Sequence, residues 1–246
     1  MPELLLLSNS TSPGMGFLEH ARAEISGLAP PGSRLLFVPY ASADQDQYTE
    51  VMAAALAPVS VQVTGAHRAG DPGQALASAD AVFVGGGNSF RLLRTLEETG
   101  LGAAIAERVR TGLPYLGASA GTNMACPSLR TTNDMPITQP RSFAALGLIP
   151  FQVNPHYPLS IDPDPASAHQ GETRQRRIEE FLECNDVPVL GLREGSWLRV
   201  SDGLARTGGT TRARQFRRAA EPRELPPGSD LSDLLATLPR FDVGRG

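Results

Sequence analysis

Lysine is absent from this chain: all 22 basic side chains are arginine, set against 26 acidic ones, for a formal net charge of −4. That balance leaves no basic face for a polyphosphate and argues against a nucleic-acid partner. Cysteine is almost absent too. Cys126 and Cys184 give neither a disulfide framework nor metal-ligand spacing, so the expectation is a reducing, cytoplasmic compartment and no metal. No apolar run reaches membrane-spanning length. The run Leu4 to Leu7 has no basic segment before it and no cleavage pattern after it, and is read as a buried first strand rather than a leader. The missing lysine, beside abundant Ala, Gly and Pro, reflects genome composition rather than a functional demand.

What is present is a core and a rhythm. Forty-one per cent of the residues are hydrophobic, enough for a sizeable core without staples. Strands are expected over residues 3–8, 34–40, 59–64 and 81–84, alternating with helices over 17–28, 48–56, 71–78, 90–98 and 102–110. Such alternation predicts βαβ units: an α/β fold with a doubly wound, mostly parallel, flavodoxin-like sheet. Beyond Cys126 the pattern loosens. A loop over 127–140 leads to a strand over 151–156, an exposed loop over 157–171, a helix over 172–184 and a strand over 187–191. A hairpin then turns around Ser201-Asp202-Gly203. Residues 1–221 read as one α/β domain. In the tail, 222–246, Leu231, Leu234, Leu235 and Leu238 form a short amphipathic run that packs either on its own subunit or across a homodimer.

The chemistry centres on Gly117-Ala118-Ser119-Ala120-Gly121, a G-x-S-x-G pattern between a strand end and a helix-compatible segment. In a nucleophile elbow the serine occupies a sharp strand-to-helix turn, and small neighbours are needed because a larger Cβ would collide with the adjoining elements. The plain alternative is a tight βα turn with no chemistry. Of four histidines, His20 and His67 sit where solvated or structural histidines belong, and His169 lies in a loop. His156 falls at the C-terminal end of a strand, where α/β ligand sites gather, and is the candidate base. Two carboxylates compete to orient it: Asp134, in the loop after the elbow helix, and Glu194, just past a strand end beside Gly195. Gly85-Gly86-Gly87-Asn88 follows the fourth strand and offers unhindered N–H groups, so Gly86 pairs with Ala120 as candidate oxyanion donors. A phosphate cradle is the weaker reading of that loop, since it lacks G-x-G-x-x-G and any Walker lysine.

Taken together these segments resemble the peptidase E family, the bacterial α-aspartyl dipeptidases. The likeness is carried by the Leu4-Leu-Leu-Leu-Ser-Asn-Ser10 start, Val84-Gly-Gly-Gly-Asn88, Gly117-Ala-Ser-Ala-Gly121 and Arg130-Thr-Thr-Asn-Asp-Met-Pro136. It continues through Asn154-Pro-His156, Gly171-Glu-Thr-Arg174 and Glu194-Gly-Ser-Trp197, covering roughly residues 1–215 in order. The resemblance implies a class I glutamine-amidotransferase-like fold and cofactor-free, metal-independent hydrolysis of small peptides with N-terminal aspartate. It implies Ser119 as nucleophile, His156 as base, and Asp134 or Glu194 as the orienting acid. Arg174 is implied as the partner of the substrate's acidic side chain, with Asn88 also on the substrate side. Alternatives of the same fold are a cyanophycinase-like β-aspartyl peptidase, for which Asp162 or Asp164 would hold an arginine, and a non-catalytic binding module. The loop over 157–170 is expected to gate the pocket.

Overall fold

The computed structural model describes residues 2–12, 14–159 and 173–244. Strands β1 (Leu4–Leu7), β2 (Arg34–Val38), β3 (Gln62–Gly65), β4 (Ala81–Val84) and β5 (Tyr115–Ala118) run parallel, in the spatial order β3-β2-β4-β5-β1. The first four places follow a flavodoxin-like order, and the N-terminal strand takes the next one. Helices α1 (Arg22–Leu28), α2 (Gln45–Leu56), α3 (Pro72–Ala77), α4 (Ser89–Thr99), α5 (Leu101–Arg110) and α6 (Ala120–Ala125) connect these strands or follow them. Leu4 and Leu6 face the core shared with α4 and α5, whereas Leu5 and Leu7 face the one beneath α1 and α2. A strand covered on both faces needs an unbroken apolar run, which accounts for four consecutive leucines. Each contributes about 1.5–3 kcal/mol of burial.

Capping residues set several helix starts. Helix α2 begins at Gln45, earlier than its apolar periodicity implies, because the Asp44 carboxylate accepts from Gln47 N–H at 2.9 Å. Asp71 caps α3, accepting from Gly73 and Gln74 N–H. The expected helix over 17–28 divides into a 3-10 turn, Glu19–Ala21, and α1. Residues Ala57–Val59 are likewise a 3-10 turn that delays β3 to Gln62.

A second sheet departs from the sequence reading. The expected hairpin is present as β8 (Ser196–Ser201) and β9 (Leu204–Gly209), and β8 pairs antiparallel with β1, occupying its free edge. β6 (Gln152–Tyr157) and β7 (Val189–Arg193) do not extend the first sheet. They pair with each other in parallel and are joined by β10 (Ala213–Phe216) and β11 (Arg223–Leu225), in the order β11-β10-β7-β6. Helix α7 (Arg174–Cys184) packs Ile178 and Leu182 against Val189 and Phe216 of this sheet. In the tail, Leu225, Leu231 and Leu234 enter the main core, Arg240 pairs with Asp186, and Leu238 remains 84% exposed. Among the described residues, no helix is long and apolar enough to cross a membrane.

Candidate active site

Ser119 lies between β5 and α6 with φ 51° and ψ −108°, a backbone conformation that non-glycine residues rarely hold without constraint. The glycines of its motif supply that constraint. A Cβ on Gly117 would come within 2.7 Å of the Gly121 backbone, and one on Gly121 within 2.0 Å of the Val84 carbonyl oxygen. Strand, turn and helix are therefore packed backbone to backbone, and the serine side chain is the one left projecting. Thr122 Oγ1 secures the turn from below, donating to the carbonyls of Leu7 and Gly117.

The candidate base and one of its two candidate acids come from the other sheet. His156 sits in β6 at an irregularity of register, itself at φ 56°. Glu194 follows β7 in the two-residue crossing to β8, where Gly195 takes φ 80°. Across the gap between sheets, His156 Nε2 stands 2.8 Å from Ser119 Oγ, and His156 Nδ1 stands 3.0 Å from Glu194 Oε1. The imidazole is partly exposed and the Glu194 side chain is 49% exposed, so solvent reaches the acid end of the series.

Among the described residues, no hydrogen bond joins Asp134 to His156. Its Oδ2 accepts from Ser89 N–H at 2.7 Å, at the start of α4. Asn88 is the cap of that helix: its Oδ1 accepts from Phe90 and Arg91 N–H, and its Nδ2 donates to Met135 O. Both residues thus hold the 131–136 loop to α4. Arg174 opens α7 and donates through NH1 to the carbonyls of Pro155 and of His156, the candidate base. Among the described residues it has no carboxylate at ion-pair distance, although it feels the charges of Glu194 and Asp134. Burial and the neighbouring Arg177 pull its guanidinium below the ordinary arginine value. Residues 160–172, with Asp162, Asp164, His169 and Glu172, lie outside the described residues.

The two expected oxyanion donors differ. Ala120 is the first residue of α6, and its N–H has no acceptor among the described residues. Gly86 lies against Ser119, with 3.3 Å from a would-be Cβ to the serine Cβ, yet its N–H donates to the Tyr48 hydroxyl at 2.9 Å. The Gly87 N–H beside it is unclaimed among the described residues. A Cβ there would lie 2.5 Å from the Ala41 carbonyl oxygen, so only glycine fits.

Sequence reasoning passed over three contributors. Ser8 Oγ accepts from His156 N–H at 2.9 Å and donates to Leu192 O at 2.8 Å, linking the end of β1 to both strands of the second sheet that carry the site. Asn9 Oδ1 accepts from Gly195 N–H. Tyr48, read only as part of a helix, reaches the glycine loop. Polar residues immediately after a fully apolar strand, at its carboxyl end, were the available signal for the first two. Among the described residues, no three of His, Cys, Asp and Glu gather into a metal-holding group.

A serine, an imidazole and a carboxylate in hydrogen-bonded series, at the carboxyl end of a parallel α/β sheet, form the arrangement by which serine hydrolases activate a hydroxyl. Comparison with known proteins makes the assignment specific. The chain belongs to peptidase family S51, whose pattern it matches over residues 4–208. It is 63% identical to a peptidase E of Streptomyces coelicolor over 98% of each chain. It is 49% identical to a probable alpha-aspartyl dipeptidase of Drosophila melanogaster, over 94% of this chain and 97% of that one. A solved structure of a peptidase from an acI-B1 actinobacterium shares the fold at a TM-score of 0.65 and 16% identity, covering 94% of this chain and 96% of that one.

Proposed function

We propose that this protein is a serine-type dipeptidase that hydrolyses Asp-X dipeptides through an aspartyl-enzyme intermediate. The observation that carries the mechanism is the series Ser119 Oγ, His156 Nε2, His156 Nδ1, Glu194 Oε1, at 2.8 and 3.0 Å. His156 takes the hydroxyl proton as Ser119 attacks the aspartyl carbonyl. Glu194 accepts from Nδ1–H, fixes the tautomer and balances the imidazolium. The Ala120 N–H stabilises the oxyanion, and the glycine loop contributes the second donor. Gly86 serves there if its N–H leaves the Tyr48 hydroxyl, whereas the Gly87 N–H is already unclaimed. His156 then protonates the leaving amine, and water, activated by the same imidazole, releases aspartate.

Arg174 is the selector of the acidic side chain. A half-buried guanidinium anchored on two carbonyls, with no carboxylate partner among the described residues, suits a carboxylate brought by the substrate. Asn88 serves the site by holding the surrounding loops. The protein is taken to act in the cytoplasm, in keeping with two free cysteines. With Leu231 and Leu234 buried within the subunit, Leu238 is the exposed leucine of that run left to contribute to a homodimer.

The test is hydrolysis of Asp-Leu, β-Asp-Leu, Glu-Leu and Ala-Leu with EDTA present, by the wild type and Ser119→Ala. Cleavage of Asp-Leu alone, lost in the variant, is expected. Preference for β-Asp-Leu would replace this reading with the cyanophycinase-like one, and equal cleavage by the variant would refute the serine mechanism.

A further inference from the structure

We infer that Asp134 binds the free α-ammonium group of the substrate, forming with Arg174 a two-charge clamp on an N-terminal aspartyl residue. The inference rests on the dipeptidase reading and extends it to the group that distinguishes a peptide's first residue from an internal one.

Three observations carry it. First, only one Asp134 oxygen is engaged. Oδ2 accepts from Ser89 N–H, whereas Oδ1 has no hydrogen-bond partner among the described residues and is not sealed from solvent. One oxygen suffices to start α4, so the other is available to a ligand. Second, Asp134 is tied to the elements around the site, and its charge, like that of Glu194, acts on the Arg174 guanidinium. The Pro155 carbonyl accepts from Arg174 NH1 and from Asn133 Nδ2, both at 3.3 Å, so the residue preceding Asp134 and the guanidinium meet at the same atom. Ser89, which Asp134 holds, is three residues past Gly86, and Gly86 lies against Ser119. Asp134 is thereby linked through Ser89 to the segment that follows the glycine loop, and through Asn133 to the carbonyl that anchors the guanidinium. Third, the carboxylate is fixed in place beforehand. Asp134 N–H donates to Thr132 Oγ1, Asn88 Nδ2 holds Met135 O, and Ser89 Oγ accepts from Asn123 Nδ2, one turn beyond the nucleophile. A preorganised acceptor loses little on binding.

The substrate presents the matching pair of charges: a carboxylate on its side chain and an ammonium on the adjacent carbon. A guanidinium with no carboxylate at ion-pair distance among the described residues and a carboxylate with a spare oxygen, within reach of each other's field and not hydrogen-bonded together, complement that pair. An internal aspartate, or one with a blocked amine, offers only half of it and leaves the Asp134 charge without a partner.

Calorimetric titration of the full chain with aspartate and with succinate, its analogue lacking the amine, tests this without turnover. The wild type should bind aspartate more tightly than succinate. Asp134→Asn, which keeps an acceptor for Ser89 N–H, should weaken aspartate about tenfold or more while leaving succinate within about twofold. Arg174→Gln should weaken both. Equal affinity of the wild type for the two ligands would overturn the inference without recourse to any variant, as would equal losses of both ligands in Asp134→Asn. Should the wild type bind neither ligand and leave Asp-Leu intact, the dipeptidase reading itself fails. If it cleaves Asp-Leu but Asp134→Asn binds aspartate normally, only this inference does.

Discussion

Replacing Glu194 by glutamine separates the two carboxylates that sequence left in competition. The substitution keeps the side-chain shape and removes the charge facing His156 Nδ1 at 3.0 Å. At that distance a unit charge stabilises an imidazolium by about 1.4 kcal/mol in bulk water, and by about 5.5 kcal/mol at the effective dielectric of a site near the surface. Glu194 is 49% exposed, so the expected loss lies between these limits, near ~3 kcal/mol or roughly 100-fold in kcat. KM for Asp-Leu should change little, because Glu194 acts through the imidazole rather than on the substrate. Stability should fall by no more than about 1 kcal/mol, as for other solvent-exposed ion pairs. Steady-state kinetics on Asp-Leu, with a thermal melt as control, gives all three numbers. A kcat within about threefold of wild type would refute the assignment of Glu194. If Asp134→Asn then lowered kcat on every substrate while binding aspartate normally, the orienting role would pass to Asp134.

Two further outcomes test the packing around the site. Gly121→Ala should cost about 3 kcal/mol or more and lower the melting temperature, because its Cβ meets a carbonyl oxygen at 2.0 Å with no flexible side chain to yield. An unchanged melt would mean that α6 sits farther from β4 than described. Burial pushes the Cys126 thiol up to about 12, whereas Cys184 is exposed. Iodoacetamide near pH 8 should therefore modify Cys184 alone in the native protein and both cysteines in urea, with mass spectrometry as the readout. Native modification of Cys126 would contradict its burial.

Much of the parallel sheet was legible because its cues are local. Apolar strands, helical periodicity and capping residues such as Asp71 are each complete within a few neighbouring residues. Ser119 was legible for the same reason, since Gly117 and Gly121 report a close approach that any side chain would forbid. His156 followed from its place at a strand end. The second sheet was not legible: β10 returns to β7 across the β8–β9 hairpin, and nothing in the strands themselves says which edge they will find. The same non-local geometry separates Asp134 from Glu194, two loop carboxylates with similar surroundings in sequence and different hydrogen-bond partners in space. Asn88 had a local cue that function overshadowed: an asparagine followed by Ser-Phe-Arg-Leu-Leu starts a helix.

Ser119 is mounted on one sheet, and His156 and Glu194 on the other, with Ser8 tying the two sheets together at the level of the reaction. The hydroxyl-to-imidazole gap is in effect a gauge of how the two plates are set. A slip of a fraction of an ångström, too small to expose any core, would open that gap before any strand came apart. Catalysis by the proposed mechanism is consequently more fragile than the fold that carries it.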